Sequence, residues 1–200
     1  MDTINSRLSV IDGGWKEDQL ASFVALAQRE LACRDPQAIA SLSGVDFDVV
    51  GQHFSVKVFG RQFLVSYPSF DVQELSATRG LGQPWVQCLL LHYFRAASGA
   101  SLKNEWISFR ELPSGTFYQQ AFQGYSGNRL ARSFGNDLAG LEAAARTLGG
   151  RKENLGDLSY SFVALPRVPV AIVYWLGDED FPPSAKVLFD ASAGSYLPTD

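Results

Sequence analysis

Two hundred residues, 46% hydrophobic and 19% charged, suffice to bury a substantial core, and a single domain over 1–200 is expected. A formal net charge of −4 and a pI near 5.2 leave no basic excess for neutralising phosphates, so neither DNA nor RNA is an expected partner. No charged leader precedes an apolar run at the start, and no stretch reaches the ~18 apolar residues of a membrane span. The expectation is a soluble, cytoplasmic protein without a membrane partner.

From Lys16 to Cys33 apolar residues recur at Leu20, Phe23, Val24, Ala27 and Leu31, opposite Lys16, Asp18, Gln19 and Arg29. That stripe predicts a surface helix lying on the core. Asp35 as N-cap and Pro36 at the first helical position open a second short helix, which stops at Gly44. The period then changes. Phe47 and Val49, Phe54, Val56 and Val58, then Phe63, Val65 and Tyr67 alternate with polar residues around Gly51-Gln52 and Gly60-Arg61, which predicts a three-stranded meander.

Helical spacing returns over Pro84–Ala97 at Val86, Leu89, Leu90, Tyr93, Phe94 and Ala97, with Trp85, Cys88 and Leu91 filling the remaining circumference. A helix apolar nearly all round belongs at the centre of the fold. The aromatic-rich middle then reads as a short strand over Trp106–Ser108 and two short helices. Asn136 is expected to cap a helix carrying Leu138, Leu141, Ala145 and Leu148, ended by Gly149-Gly150. Leu158–Leu165 and Val168–Leu176 form a strand pair around the corner Pro-Arg-Val-Pro, and Lys186–Asp190 a further strand. Two strand clusters with helices between them define the α+β class, with mostly antiparallel sheet packed against helices and a central apolar helix. Cys33 and Cys88 both fall in apolar helical patterns and are read as free, buried thiols.

The charges concentrate late in the chain. Asp178, Glu179 and Asp180 follow the second apolar run directly, between Gly177 and Pro182. With Asp190 they offer oxygens to a hard cation, but adjacent loop residues point different ways, so Asp178, Asp180 and Asp190 are only weak metal candidates and no metal is assigned. A structural role is favoured, with Arg167 or Arg110 bridging two carboxylates. Arg110 and Glu111 can stand at a pocket rim, where Glu111 does acid/base work only if burial raises its pKa. Trp106, Phe117, Tyr118, Phe122 and Tyr125 can line a pocket or plug a loop-rich fold.

His92, Cys88 and Trp85 share one helix face, yet the only further zinc ligands on offer are Cys33 and His53, so a core histidine is the better reading. No CxxC, HExxH, P-loop, GxGxxG or GxSxG occurs, and neither Ser108 nor Ser195 has an evident histidine partner.

The segments WISFRELPSGTFY (106–118), FGNDL (134–138) and FVALPRVPVAIVYWLGDEDFPPSAKVLFDASAGSYLP (162–198) resemble the bacterial and archaeal family called domain of unknown function 3786. The resemblance implies no established activity. It implies a setting in anaerobes, where some members resemble fusions with a preceding cysteine-rich iron-sulfur segment. With no cysteine before Cys33, no cluster carries over, and no cofactor is assigned.

Two readings follow. The first is an accessory module in anaerobic redox or cofactor metabolism, binding a small molecule or a protein through Trp106, Arg110, Phe117, Tyr118, Tyr125 and Arg167. The second is an enzyme that uses Glu111, Asp178 and Glu179 with Arg110 or Arg167 in a metal-assisted or acid/base reaction. Converging charges in one cleft favour the enzyme; charges paired off without a pocket favour the module. Both readings place Arg167 and the acidic triplet together near the 106–125 aromatics.

Overall fold

Helix α1 (Glu17–Ala32) forms because its apolar residues repeat at helical spacing, and it turns Ala27 and Leu31 wholly inward, with Leu20 nearly so. The computed structural model describes residues 17–75 and 83–199, so Lys16 lies outside it, as do the side chains of Asp18 and Gln19. Helix α2 (Pro36–Ser43) starts where expected: the Asp35 carboxylate accepts from the backbone N–H groups of Gln37 and Ala38. It ends at Gly44, whose φ of +68° is left-handed backbone.

Four antiparallel strands follow, β1 (Asp46–Asp48), β2 (His53–Val58), β3 (Arg61–Ser66) and β4 (Val72–Glu74), in that spatial order. The meander is therefore one strand longer than the sequence suggested, and Val49 sits exposed in the β1–β2 turn rather than in a strand. One face presents Phe54, Val56, Val58, Phe63 and Val65, all essentially inaccessible to water.

Helix α3 (Gln83–Ala96) packs against this sheet and against α1 and α2. Val86, Cys88, Leu90, Leu91, Tyr93 and Phe94 are buried, and the Phe94 ring lies 5.0 Å from that of Phe54. Each such side chain contributes roughly 1.5–3 kcal/mol by leaving water. Trp85, at the helix start, is 37% exposed and so lies off the buried face.

The second sheet is built from β5 (Trp106–Ser108), β6 (Arg151–Lys152), β7 (Leu158–Leu165), β8 (Val168–Trp175) and β9 (Ser184–Asp190), in the order β5-β9-β8-β7-β6 and antiparallel throughout. Between β5 and β6 the chain makes a 3-10 turn (Phe109–Glu111) and helices α4 (Gly115–Tyr125), α5 (Gly127–Phe134) and α6 (Leu138–Thr147). Helix α5 lies along β9, and α6 against β7. The α6 cap is Asp137, whose carboxylate accepts from the Gly140 N–H, and not Asn136 as the spacing suggested.

The buried residues of the two sheets join in one hydrophobic cluster. A backbone hydrogen bond of 3.0 Å from the Phe59 N–H, in the β2–β3 turn, to the Ala164 carbonyl on β7 ties the two sheets together. This is an α+β fold of two antiparallel sheets packed against helices.

Candidate functional site

Arg167 and the acidic triplet flank opposite ends of β8, which separates them by roughly 25 Å at ~3.3 Å per residue. The expected tie between them does not form. Arg167 lies instead against the left-handed cap of α2, where a side chain on Gly44 would meet its Nε at 2.6 Å. Its backbone N–H donates to the Tyr93 hydroxyl at 3.0 Å, and that hydroxyl donates on to the Ser43 carbonyl. Burial pushes the Tyr93 phenol far up, so it is a fixed hydrogen-bond bridge at any ordinary pH. Tyr196, fully buried beside it with ring centroids 5.9 Å apart, donates to the Ala100 carbonyl. These phenols pin α3 to the β7–β8 corner and to the C-terminal segment. Sequence reading took Tyr93 for a core residue and missed its polar role, since a phenol inside an apolar stripe gives no sign of which carbonyl it reaches.

Asp178 closes its own loop. Its Oδ1 accepts from the Asp180 N–H at 2.9 Å and the Phe181 N–H at 2.7 Å, while its own N–H donates to the Phe181 carbonyl. Glu179 and Asp180 are exposed. Asn136 clasps this loop from the α5–α6 connection, exchanging two hydrogen bonds with the backbone of Gly177, at 2.9 and 3.2 Å. Phe181 projects from it, 71% exposed.

Asp190 is 2% exposed and far from the triplet, across the length of β9. Its Oδ1 accepts from the Lys103 N–H and from both the N–H and hydroxyl of Ser192, and its Oδ2 from the Asn104 N–H. Burial pushes this carboxyl up, but the bonds from Ser192, Lys103 and Asn104 outweigh it and hold the pKa below the ordinary aspartate value. A carboxylate with its lone pairs taken by four donors is a brace, and this one joins the 103–104 loop to β9.

Glu111 ends the 3-10 turn in a capping box, accepting at one oxygen from the Ser108 N–H at 2.8 Å and the Ser108 hydroxyl at 2.7 Å. Those two bonds hold its carboxyl below the usual glutamate range, the direction opposite to that needed for acid/base work near neutrality. Arg110 is exposed beside it, and Trp106 is half-buried on β5 opposite Asp190.

The remaining candidates gather on α4. Phe122 anchors this helix inward, stacked 4.2 Å from the Phe109 ring and 5.6 Å from that of Phe189. The helix start fits against the 3-10 turn only because Gly115 lacks a side chain: a Cβ there would lie 1.8 Å from the Phe109 carbonyl oxygen. Gln123 reaches the Ala185 carbonyl on β9 at 2.9 Å. Most of the rest of the helix faces water, although Tyr125 keeps an edge contact with the Phe122 ring at 5.7 Å. Phe117 is 87% exposed, Tyr125 64% and Tyr118 44%, and Thr116, Gln119, Gln120 and Ala121 are exposed as well. The aromatics read from sequence as a pocket lining thus form an outward stripe.

Both cysteines are free, but only Cys88 is buried, and burial pushes its thiol up. Cys33 is exposed, because it falls one residue beyond the end of α1. His92 stacks flat on Phe23 with centroids 3.8 Å apart, as part of the α1–α3 contact. Among the described residues no three His, Cys, Asp or Glu side chains gather as metal ligands, and no helix is long and apolar enough to cross a membrane.

Together these features describe an α+β scaffold whose interior polar groups are engaged in bracing and whose aromatic stripe on α4 stands largely in water. The family model described as "Domain of unknown function (DUF3786)" matches residues 35–200, and the chain belongs to that family. Helix α1 precedes the matched span yet contributes to the same core. No curated protein and no solved structure matches the chain.

Proposed function

We propose that this protein is an accessory binding module whose working surface is helix α4, and that it engages a protein through Phe117, Tyr118 and Tyr125, with Arg110 at the foot of the helix as a rim charge. The observation that carries the reading is the exposure of this stripe on a helix without a single charge: from Leu112 to Asn128 the sequence holds no Asp, Glu, Lys or Arg. Aromatic side chains bring large contact area for little entropy cost, and interface centres are enriched in them and depleted in charge. The alternative, an enzyme built on Glu111, Asp178 and Glu179 with Arg110 or Arg167, asks these groups to converge. Their separation, and the engagement of Glu111 and Asp178 in closing their own turns, favour the module over it.

The setting in anaerobic redox or cofactor metabolism implied by the family resemblance belongs to this proposal. A photo-crosslinking residue in place of Phe117, irradiated in an extract of the source cells, is the test. It is expected to yield one dominant protein adduct, whose identity also reports on the setting. The same probe at exposed Ala143 on α6 is expected to yield none. Equal adduct patterns at the two positions, or no adduct at 117, reject the reading.

A further inference from the structure

We infer that α4 is a conformational switch: between two fixed ends it melts and re-forms on its own while the rest of the fold stays intact. The inference stands whether or not the helix meets a partner. Its first support is burial. Thr116, Phe117, Tyr118, Gln119, Gln120 and Ala121 are all exposed. Six consecutive residues exceed one helical turn, so over this length no face of the helix lies against the protein. A helix of 11 residues is marginal in water when nothing packs on it, because helices in proteins owe most of their stability to a buried face.

The sequence supplies little in place of that packing. Thr116, Phe117, Tyr118, Phe122 and Tyr125 are middling helix formers, and Gly124 is a poor one. With no Asp, Glu, Lys or Arg from 115 to 125, no ion pair links successive turns and no charge answers the helix dipole. Ser114 stands at the N-cap in left-handed backbone, φ +60°, and its hydroxyl makes no capping hydrogen bond. The inward hold on the helix is Phe122 against Phe109 and Phe189, with the Gln123 bond to the Ala185 carbonyl.

The two ends are different. A Cβ on Gly115 would lie 1.8 Å from the Phe109 carbonyl oxygen, and one on Gly127 2.2 Å from that of Ala185, so backbone packs on backbone at both sites. Clamped there, the segment between opens as a closed loop and does not drag the sheet with it. Opening lifts Phe122 off the Phe109 and Phe189 rings, exchanging the helical stripe for an uncovered aromatic patch beneath it. A molecule that reads the ordered stripe biases the switch toward the helix, and one that takes the uncovered rings biases it the other way.

The test is hydrogen exchange of the purified full chain, read amide by amide, with two substitutions on the helix. In the wild type the amides of 119–125 are expected to exchange at least about a hundredfold faster than those of β8, yet slower than an unstructured peptide. Ala121→Gly should speed exchange in α4 about fivefold. Gly124→Ala, whose added Cβ meets no atom within 4 Å, should slow it by up to about fivefold. Neither should move the exchange of β8 or the thermal melt. Exchange of α4 at the pace of β8 overturns the inference, as does exchange at the pace of an unstructured peptide. So does a substitution that shifts α4 and β8 together, since the helix then opens only with the whole fold, and so does either one leaving α4 unmoved.

Discussion

Helices α3 and α4 share a poverty of charge and differ in where they lie. Over Gln83–Ala96, α3 carries Arg95 as its one Asp, Glu, Lys or Arg, besides His92, and packs Val86, Leu90, Leu91, Tyr93 and Phe94 out of water. Over Gly115–Tyr125, α4 carries no charge, yet holds just Phe122 among its aromatics against the protein. The difference lies in what stands between the large residues. In α3 they recur on successive turns around most of the circumference, whereas in α4 they are spaced by Thr, Gln, Ala and Gly, which give the sheet nothing broad to cover. Absence of charge marks a surface made to be covered; whether the fold or a second molecule does the covering is decided by the density of apolar side chains.

Large-to-small substitution separates the two helices most sharply. Leu90→Ala in α3 is expected to cost about 2–5 kcal/mol, whereas Phe117→Ala in α4 should fall within about 0.5 kcal/mol of the wild type in denaturant unfolding of the dilute protein. Equal losses at the two sites would erase the distinction.

Acid offers a second separation, because Asp190 braces the β5–β9 side on which α4 rests and makes no contact of this kind with α3. Its folded pKa lies below that of the unfolded chain. Its stabilisation is therefore complete above the unfolded aspartate value of about 3.9 and fades as pH falls through the lower folded one. Asp190→Asn, which turns an N–H group toward a backbone donor, should cost about 1–3 kcal/mol at neutral pH and flatten this acid limb. Hydrogen exchange in the variant should rise over 103–125 before it rises in α3. An acid limb unchanged by the substitution would remove Asp190 as its source.

The smallest effect is expected at the α2 cap beneath α3. Gly44→Ala places a side chain in left-handed backbone, for about 1–2 kcal/mol, and pushes on the Arg167 guanidinium. In an Arg167→Ala background the second part should vanish, leaving the backbone share. Identical losses in both backgrounds would show that the arginine yields freely.

Much of the fold was legible because its signals are local. The Asp35-Pro36 start, the Gly44 stop and the alternation through β2 and β3 each depend on neighbours in sequence. β4 escaped because Val72–Glu74 is too short to show a period. Asn136 was misread because either of two adjacent residues has a capping side chain, and only the approach of Gly177 decides that Asn136 serves elsewhere. The site was less legible for the same reason on a larger scale. Arg167 and Asp178 bracket one apolar run and look like neighbours of a corner, but an extended strand of that length holds its ends apart. Exposure of the 117–125 aromatics was likewise invisible, since spacing shows which residues share a face and not whether anything covers it.

The bond from Phe59 to Ala164 has a consequence for assembly. Among the described residues the outer flank of β7 is taken at one end by β6 and at the other by this turn, which shortens the ladder open to a neighbouring chain along that flank. Growth by strand addition, which has no natural stopping point, is hindered there.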